Sequence, residues 1–226
     1  MTGFDYQLVR KANRKTASII VKANNEVEVR APARMPKALI EQFVHSKLEW
    51  INRKRQFNSE HRSPFVPVTF NHGDPLEWIG STYTLQLQQG KRSVQILDDE
   101  LHVSHPDPQP DNIRRQLTRW YRQQAELHFA ERCGTYAAKL GKQPAFVGTK
   151  AYKSRWGSCH LDGRIYFNWR LIMAPAWVID YVVVHELCHL VHHNHSKAFW
   201  QLVARQFPDF KAANNWLKCH GLRLEL

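Results

Sequence analysis

The stretch VHELCHLVHHNHSKAFW, Val184 to Trp200, decides how this chain is read. It packs five of the chain's 13 histidines into eleven residues, together with a glutamate, a cysteine and two aromatics. The residues before it, Ala174 to Val183, are apolar apart from Asp180. Pro175 suits a helix first turn, so the spacing predicts a helix running from Pro175 through His193. On such a helix His185 and His189 stand four apart and project from one face about one turn apart. That is the bite a tetrahedral cation requires. Glu186 is rotated by about 100° from His185 and reaches a water on the ion without being a ligand itself. His-Glu-x-x-His is the pattern of zinc hydrolases for this reason. With 13 histidines and 11 glutamates in 226 residues, chance alone gives roughly 0.04 occurrences of it.

Two imidazoles do not complete a catalytic zinc site, which ordinarily has three protein ligands and one open position. His192, His193 and His195 are the candidates for the third. His192 shares the face of His189 loosely, but a third ligand on the same helix crowds the first two. His195 follows Asn194, where the helix is expected to stop, and precedes Ser196, a natural N-cap for KAFWQLVARQF. A bend there brings His195 back towards the ion, so His195 is favoured. Cys188 falls on another face and reads as a small buried apolar residue.

The pattern upstream completes a frame. Asp111 is a candidate N-cap for a long helix to about Leu140, with Ile113, Leu117, Trp120, Tyr121 and Leu127 on its apolar side. AFVGTKAYKSRWGSCHLDGRIYFNW then reads as two strands turning at Asp162-Gly163, a favoured hairpin dipeptide. The expected order is helix, hairpin, His-bearing helix, helix, with a short further helix after Pro208. Before residue 108 the sequence is β-rich. A hairpin is expected through Asn24-Asn25, one helix from Pro36 to the NRKR run, then strands at VPVTF, LEWIG, TYTLQLQ, SVQIL and ELHVS. Three prolines in SHPDPQPDN mark a linker. The expected division is therefore a β-rich region with one helix at 1–108 and a catalytic region at 109–226.

The motifs KSRWGSC, IYFNWRLIMAP and HELCHLVHHNHSKAFW together resemble the YgjP-like family of zincin metallohydrolases, kin to SprT-like and small gluzincin-type peptidases. The resemblance implies an α+β fold with a zincin-like catalytic domain: a backing helix, a small sheet, the HExxH helix and C-terminal helices. It also implies one zinc ion per chain held by His185, His189 and His195, with Glu186 as catalytic base. Arg155, Tyr152 and His192 are candidates for contacts to substrate or transition state. The Trp156-Gly157 pair reads either as packing with a close backbone approach or as a sheet edge that an extended peptide pairs with.

Net charge is +12, with 13 cations against 6 anions in residues 1–62 and 17 against 8 in 111–226. Such an excess raises the encounter rate with anions and leaves a nucleotide or nucleic acid open as ligand. KLEWINRKR and RRQLTRWYRQQ interleave cations with aromatics, and Arg115, Arg119 and Arg122 share a face. Four scattered cysteines form no CxxC pair, the first residues lack the apolar core of a secretory signal, and no window suits a membrane span. A reduced cytoplasmic protein is expected. The leading expectation is a zinc-dependent metallopeptidase acting on peptide or protein. The alternatives are a metal-dependent nucleotide phosphoanhydride hydrolase and a non-enzymatic nucleic-acid-binding protein with structural zinc.

Overall fold

The computed structural model describes residues 5–22, 24–61 and 67–226. The chain falls into two compact units, Met1–Phe65 and Val66–Leu226, each with its own core.

In the first unit, strands β1 (Gln7–Lys11), β2 (Ser18–Val21) and β3 (Val27–Pro32) form a sheet of order β1-β3-β2. The hairpin expected at Asn24-Asn25 joins β2 to β3, with Asn25 at φ 65°. β1 does not join that hairpin. It runs parallel to β3 along the other edge, and the Arg10 guanidinium donates to the Ala33 and Met35 carbonyls at 2.8 and 2.7 Å. Alternation along β3 buries Val27, Val29 and Ala31 against Ile40, Val44 and Ile51. The single helix expected after Pro36 is instead two, α1 (Lys37–His45) and α2 (Leu48–His61), broken by a turn at Ser46-Lys47. The Asn58 side chain ties α2 to the hairpin through the Lys22 carbonyl at 2.9 Å.

The second unit begins with β4 (Pro75–Trp78), β5 (Ser81–Gln89), β6 (Ser93–Leu97) and β7 (Glu100–His105), in the order β4-β5-β7-β6. VPVTF is not among these strands: Val66 lies outside the described residues, and 67–70 are irregular. The proline-rich segment is not a linker. Pro110 opens helix α3 (Pro110–Leu140) five residues after β7 ends at His105, and Gln109, not Asp111, is the N-cap. Proline suits that first helical position because its missing N–H has no partner there anyway. The boundary expected at 108/109 is thus a turn inside one core, in which Leu85 and Leu101 of the sheet share a cluster with Leu117 and Phe129 of α3.

Buried positions on α3 recur every four residues, Ile113, Leu117, Tyr121, Ala125, Phe129, Cys133 and Ala137. Each step of four overshoots a full turn by about 40°, so six steps swing the buried stripe through about 240°. One helix thereby serves two sheets. Its first half meets the four-stranded sheet, where Gln116 donates to the Ser93 and Ser104 carbonyls and Tyr121 to that of Glu77. Its second half meets strands β8 (Phe146–Lys150), β9 (Gly157–Cys159) and β10 (Arg164–Asn168), with Phe129 and Phe167 rings 5.0 Å apart. Leu127, expected on the apolar side, falls off the winding stripe and is 62% exposed. Gly141 ends α3 in the left-handed conformation at φ 68°, as this helix stop requires.

The expected hairpin at Asp162-Gly163 joins β9 to β10, and β8 lies parallel on the far side of β10, which leaves β9 at the sheet edge. A 3-10 turn, Trp169–Met173, leads into α4 (Ala176–Cys188). Helices α5 (Lys197–Gln206) and α6 (Phe210–His220) close the unit, with Ser196 capping α5 by accepting from the Phe199 N–H. No helix among the described residues is long and apolar enough to cross a membrane.

Candidate metal centre

Helix α4 is apolar almost all round because it is packed all round, against α3, β9, α5 and α6. A helix of that kind is stable only in a core, so each polar side chain it carries needs a partner or a use. The regular helix stops at Cys188, five residues short of the expected end at His193. The N–H groups of His189, Leu190 and Val191 bond three residues back, at 3.2, 3.0 and 3.1 Å. This tightening turns the chain without a glycine or proline to announce it. His189 keeps helical dihedrals (φ −68°, ψ −17°), so the four-residue relation to His185 survives the helix end.

The turn brings His195 back. Its Nε2 lies 3.1 Å from His185 Nε2, and donor nitrogens of His185, His189 and His195 all fall within 4.8 Å of one another. Two nitrogens bound tetrahedrally to zinc at about 2.0–2.1 Å are separated by about 3.3 Å. The 3.1 Å approach therefore fits a shared cation. The His189 Nδ1 sits 2.9 Å from the His192 carbonyl, which fixes that nitrogen as the N–H and leaves Nε2 for a metal. His185 Nδ1 is buried with no hydrogen-bond partner among the described residues. Packing orients that ring instead, with Tyr181, Phe199 and Trp200 at 5.9, 5.0 and 5.7 Å between centroids.

Two residues to which the sequence reading gave no role carry this packing. Phe199 is fully buried, stacks on His189 at 4.4 Å and meets His185 and His195 edge-on. Trp200 stacks on His195 at 5.6 Å. Their signal is their position three and four residues after the Ser196 cap, where the first turn of α5 faces the bend that carries His195. Burial and the neighbouring imidazoles push His185 down to about 3, and burial lowers His189 as well. Both rings are thus held neutral, the form that binds metal.

Glu186 follows His185 and points towards β9. It is 6% exposed, and burial pushes its carboxyl up to about 8 against the opposing pull of Arg155 and the Cys159 backbone N–H. Gly157 makes room for it. A Cβ there falls 2.6 Å from Glu186 Cγ and Oε1, closer than real Cβ contacts. Both readings of the Trp156-Gly157 pair therefore meet at one place, a close approach on an edge strand. A cleft of about 570 Å³ opens beside the three histidines, lined in part by Arg155, Gly157, Cys159, Glu186, Asn214 and Lys218.

Arg155 alone of the three candidate contact residues lines that cleft. The Tyr152 hydroxyl is held by Ser158 Oγ at 2.6 Å, and His192 acts through its carbonyl on His189. All four cysteines are unpaired, and none belongs to the donor group. In the basic-aromatic run on α3 the aromatics pack inward, while Arg114, Arg115, Arg119 and Arg122 are exposed. Trp120 clusters with Trp78 and Tyr121, and Arg122 lies 5.6 Å over Trp169.

No curated protein and no solved structure matches the chain. The model of the YgjP-like metallopeptidase domain matches residues 15–220, across both compact units. With a histidine triad inside the matched region, the mixed α+β chain belongs to the YgjP-like family of metallopeptidases.

Proposed function

We propose that this chain is a zinc-dependent peptidase of zincin-like architecture, with His185, His189 and His195 as ligands to one zinc ion and Glu186 as general base. The observation that carries the reading is the convergence of three imidazole nitrogens within 4.8 Å beside a buried carboxylate at the wall of an open cleft. A bound zinc ion supplies a Lewis acid that lowers the pKa of water towards about 7 and polarises a carbonyl. Glu186 takes a proton from the attacking water at its carboxylate and delivers it to the leaving nitrogen as the C–N bond breaks. Its raised pKa suits both halves of that exchange. Gly157 lets the carboxylate lie against β9, and the Cys159 N–H steadies it. The free edge of β9 offers backbone groups to an extended peptide.

A phosphoanhydride hydrolase acting on nucleotides is the second reading, and the cations Arg155 and Lys218 at the cleft favour it. A structural zinc site is disfavoured by the open cleft beside the triad and by the absence of thiolate donors from it. The test is a substrate screen with zinc-loaded protein, reading peptide cleavage beside phosphate and pyrophosphate release, with Glu186→Gln as control. Peptide cleavage abolished in Glu186→Gln at unchanged zinc content supports the peptidase. Phosphate or pyrophosphate release without peptide cleavage transfers the site to the second reading.

A further inference from the structure

The cleft is electrostatically one-sided. Among the described residues that line it, Glu186 is the sole carboxylate, while Arg155, in the irregular segment before β9, and Lys218, on α6, bring cations. Some arginines elsewhere are neutralised within the fold, Arg30 by Glu28, Arg132 by Asp180 and Arg164 by Asp162, whereas others, such as Arg114 and Arg119 on α3, stand exposed to solvent. Arg155 has no carboxylate within ion-pair distance among the described residues.

It is nevertheless well placed. The buried Asn168 side-chain amide donates to the Tyr152 carbonyl at 3.0 Å and to that of Arg155 at 3.4 Å. Asn168 also donates its backbone N–H to the Trp156 carbonyl at 2.8 Å. One buried residue thus sets the course of the segment from 152 to 156. The Arg155 guanidinium then lies 5.6 Å over the Tyr152 ring, whose hydroxyl is pinned to Ser158. A guanidinium presented on an aromatic face with its donors uncommitted matches a carboxylate bidentately and loses little conformational freedom in doing so.

We infer that the cleft selects peptides carrying a carboxylate close to the scissile bond, on an acidic side chain or at a free C-terminus, and that Arg155 binds it. The inference rests on the peptidase reading for the identity of the ligand. Asn168 and Tyr152 act through Arg155 as positioning residues. Lys218 adds charge of the same sign to the field, and the neutral amide of Asn214 does not oppose it.

Binding is measured without turnover, on full-length zinc-loaded Glu186→Gln protein with fluorophore-labelled peptides. The peptides share one backbone and differ at a single residue, Glu, Gln or Lys, each with a free or amidated C-terminus. ATP is the competitor. The Glu or free-C-terminus peptide is expected to bind about tenfold tighter than its neutral counterpart, and amidation tells which carboxylate is read. Adding Arg155→Gln brings that ratio close to one, and Arg155→Glu turns the preference towards Lys. Equal affinity for all peptides, a preference that survives Arg155→Gln, or ATP binding tighter than every peptide overturns the inference. Cleavage of the same peptides by the wild type separates the two levels. Carboxylate-selective binding without cleavage leaves Arg155 as the anchor and removes the peptidase reading, whereas cleavage blind to charge removes the anchor alone.

Discussion

The two ends of α4 carry one carboxylate each, and they are treated in opposite ways. Near the start, Asp180 receives the Arg132 guanidinium on both oxygens at 2.6 and 2.7 Å, and the Tyr136 hydroxyl at 3.0 Å. Six residues on, Glu186 is more deeply buried and has a backbone N–H and the more distant charge of Arg155. Its neighbour His185 keeps a buried nitrogen with no protein partner among the described residues. A fold gains nothing by burying such groups half-satisfied. Asp180 joins α4 to α3, whereas the polar groups around Glu186 are left under-satisfied by the protein, as the proposed metal and substrate site requires.

That contrast predicts separable losses. Glu186→Gln keeps the fold and the zinc and lowers kcat by about 10²–10⁴-fold, the range for losing a general base, measured by peptide turnover beside metal content. Gly157→Ala comes next. Its Cβ displaces the Glu186 carboxylate, and a shift of about 1 Å costs about 10²-fold in kcat, with zinc stoichiometry unchanged. Asp180→Asn leaves kcat within a few-fold but strips a charge-assisted pair, lowering stability by about 1–3 kcal/mol in thermal unfolding.

The smallest effect is a pH dependence in protein stripped of metal by a chelator. The Glu186 carboxyl is raised from 4.5 to about 8 in the fold, so the folded chain holds a proton that the unfolded chain releases. Stability tied to that proton is fully present below 4.5 and is lost as pH rises through about 8. Glu186→Gln has no such proton. Its stability relative to wild type therefore rises across that window and levels off above it, read as the difference in Tm between the two metal-free proteins. A difference that stays flat with pH contradicts the burial assigned to this carboxyl.

Much of the site was legible because it depends on short-range geometry. Four-residue spacing placed His185 and His189 together, Asp162-Gly163 turned the hairpin, and Ser196 capped α5 just after His195. The rest depends on contacts between distant segments. Nothing local in Leu187–His193 signals the tightened turn that ends α4, since those residues continue a helix equally well. Gly157 has meaning only once Glu186 is packed against it. Tyr152 and His192 are candidates for contacts to substrate or transition state in the sequence, yet the structure uses one to brace Ser158 and the other for its carbonyl. The prolines before α3 misled the division of the chain, because Pro110 starts a helix where a linker was expected.

Zinc K-edge absorption spectroscopy of the purified full-length protein asks the most direct question. One zinc per chain with three imidazole nitrogens at about 2.0–2.1 Å and a lighter remaining position is the expected spectrum, and it degrades in His195→Ala. A sulfur scatterer at about 2.3 Å, or zinc retained with an identical spectrum in His195→Ala, contradicts the three-histidine centre.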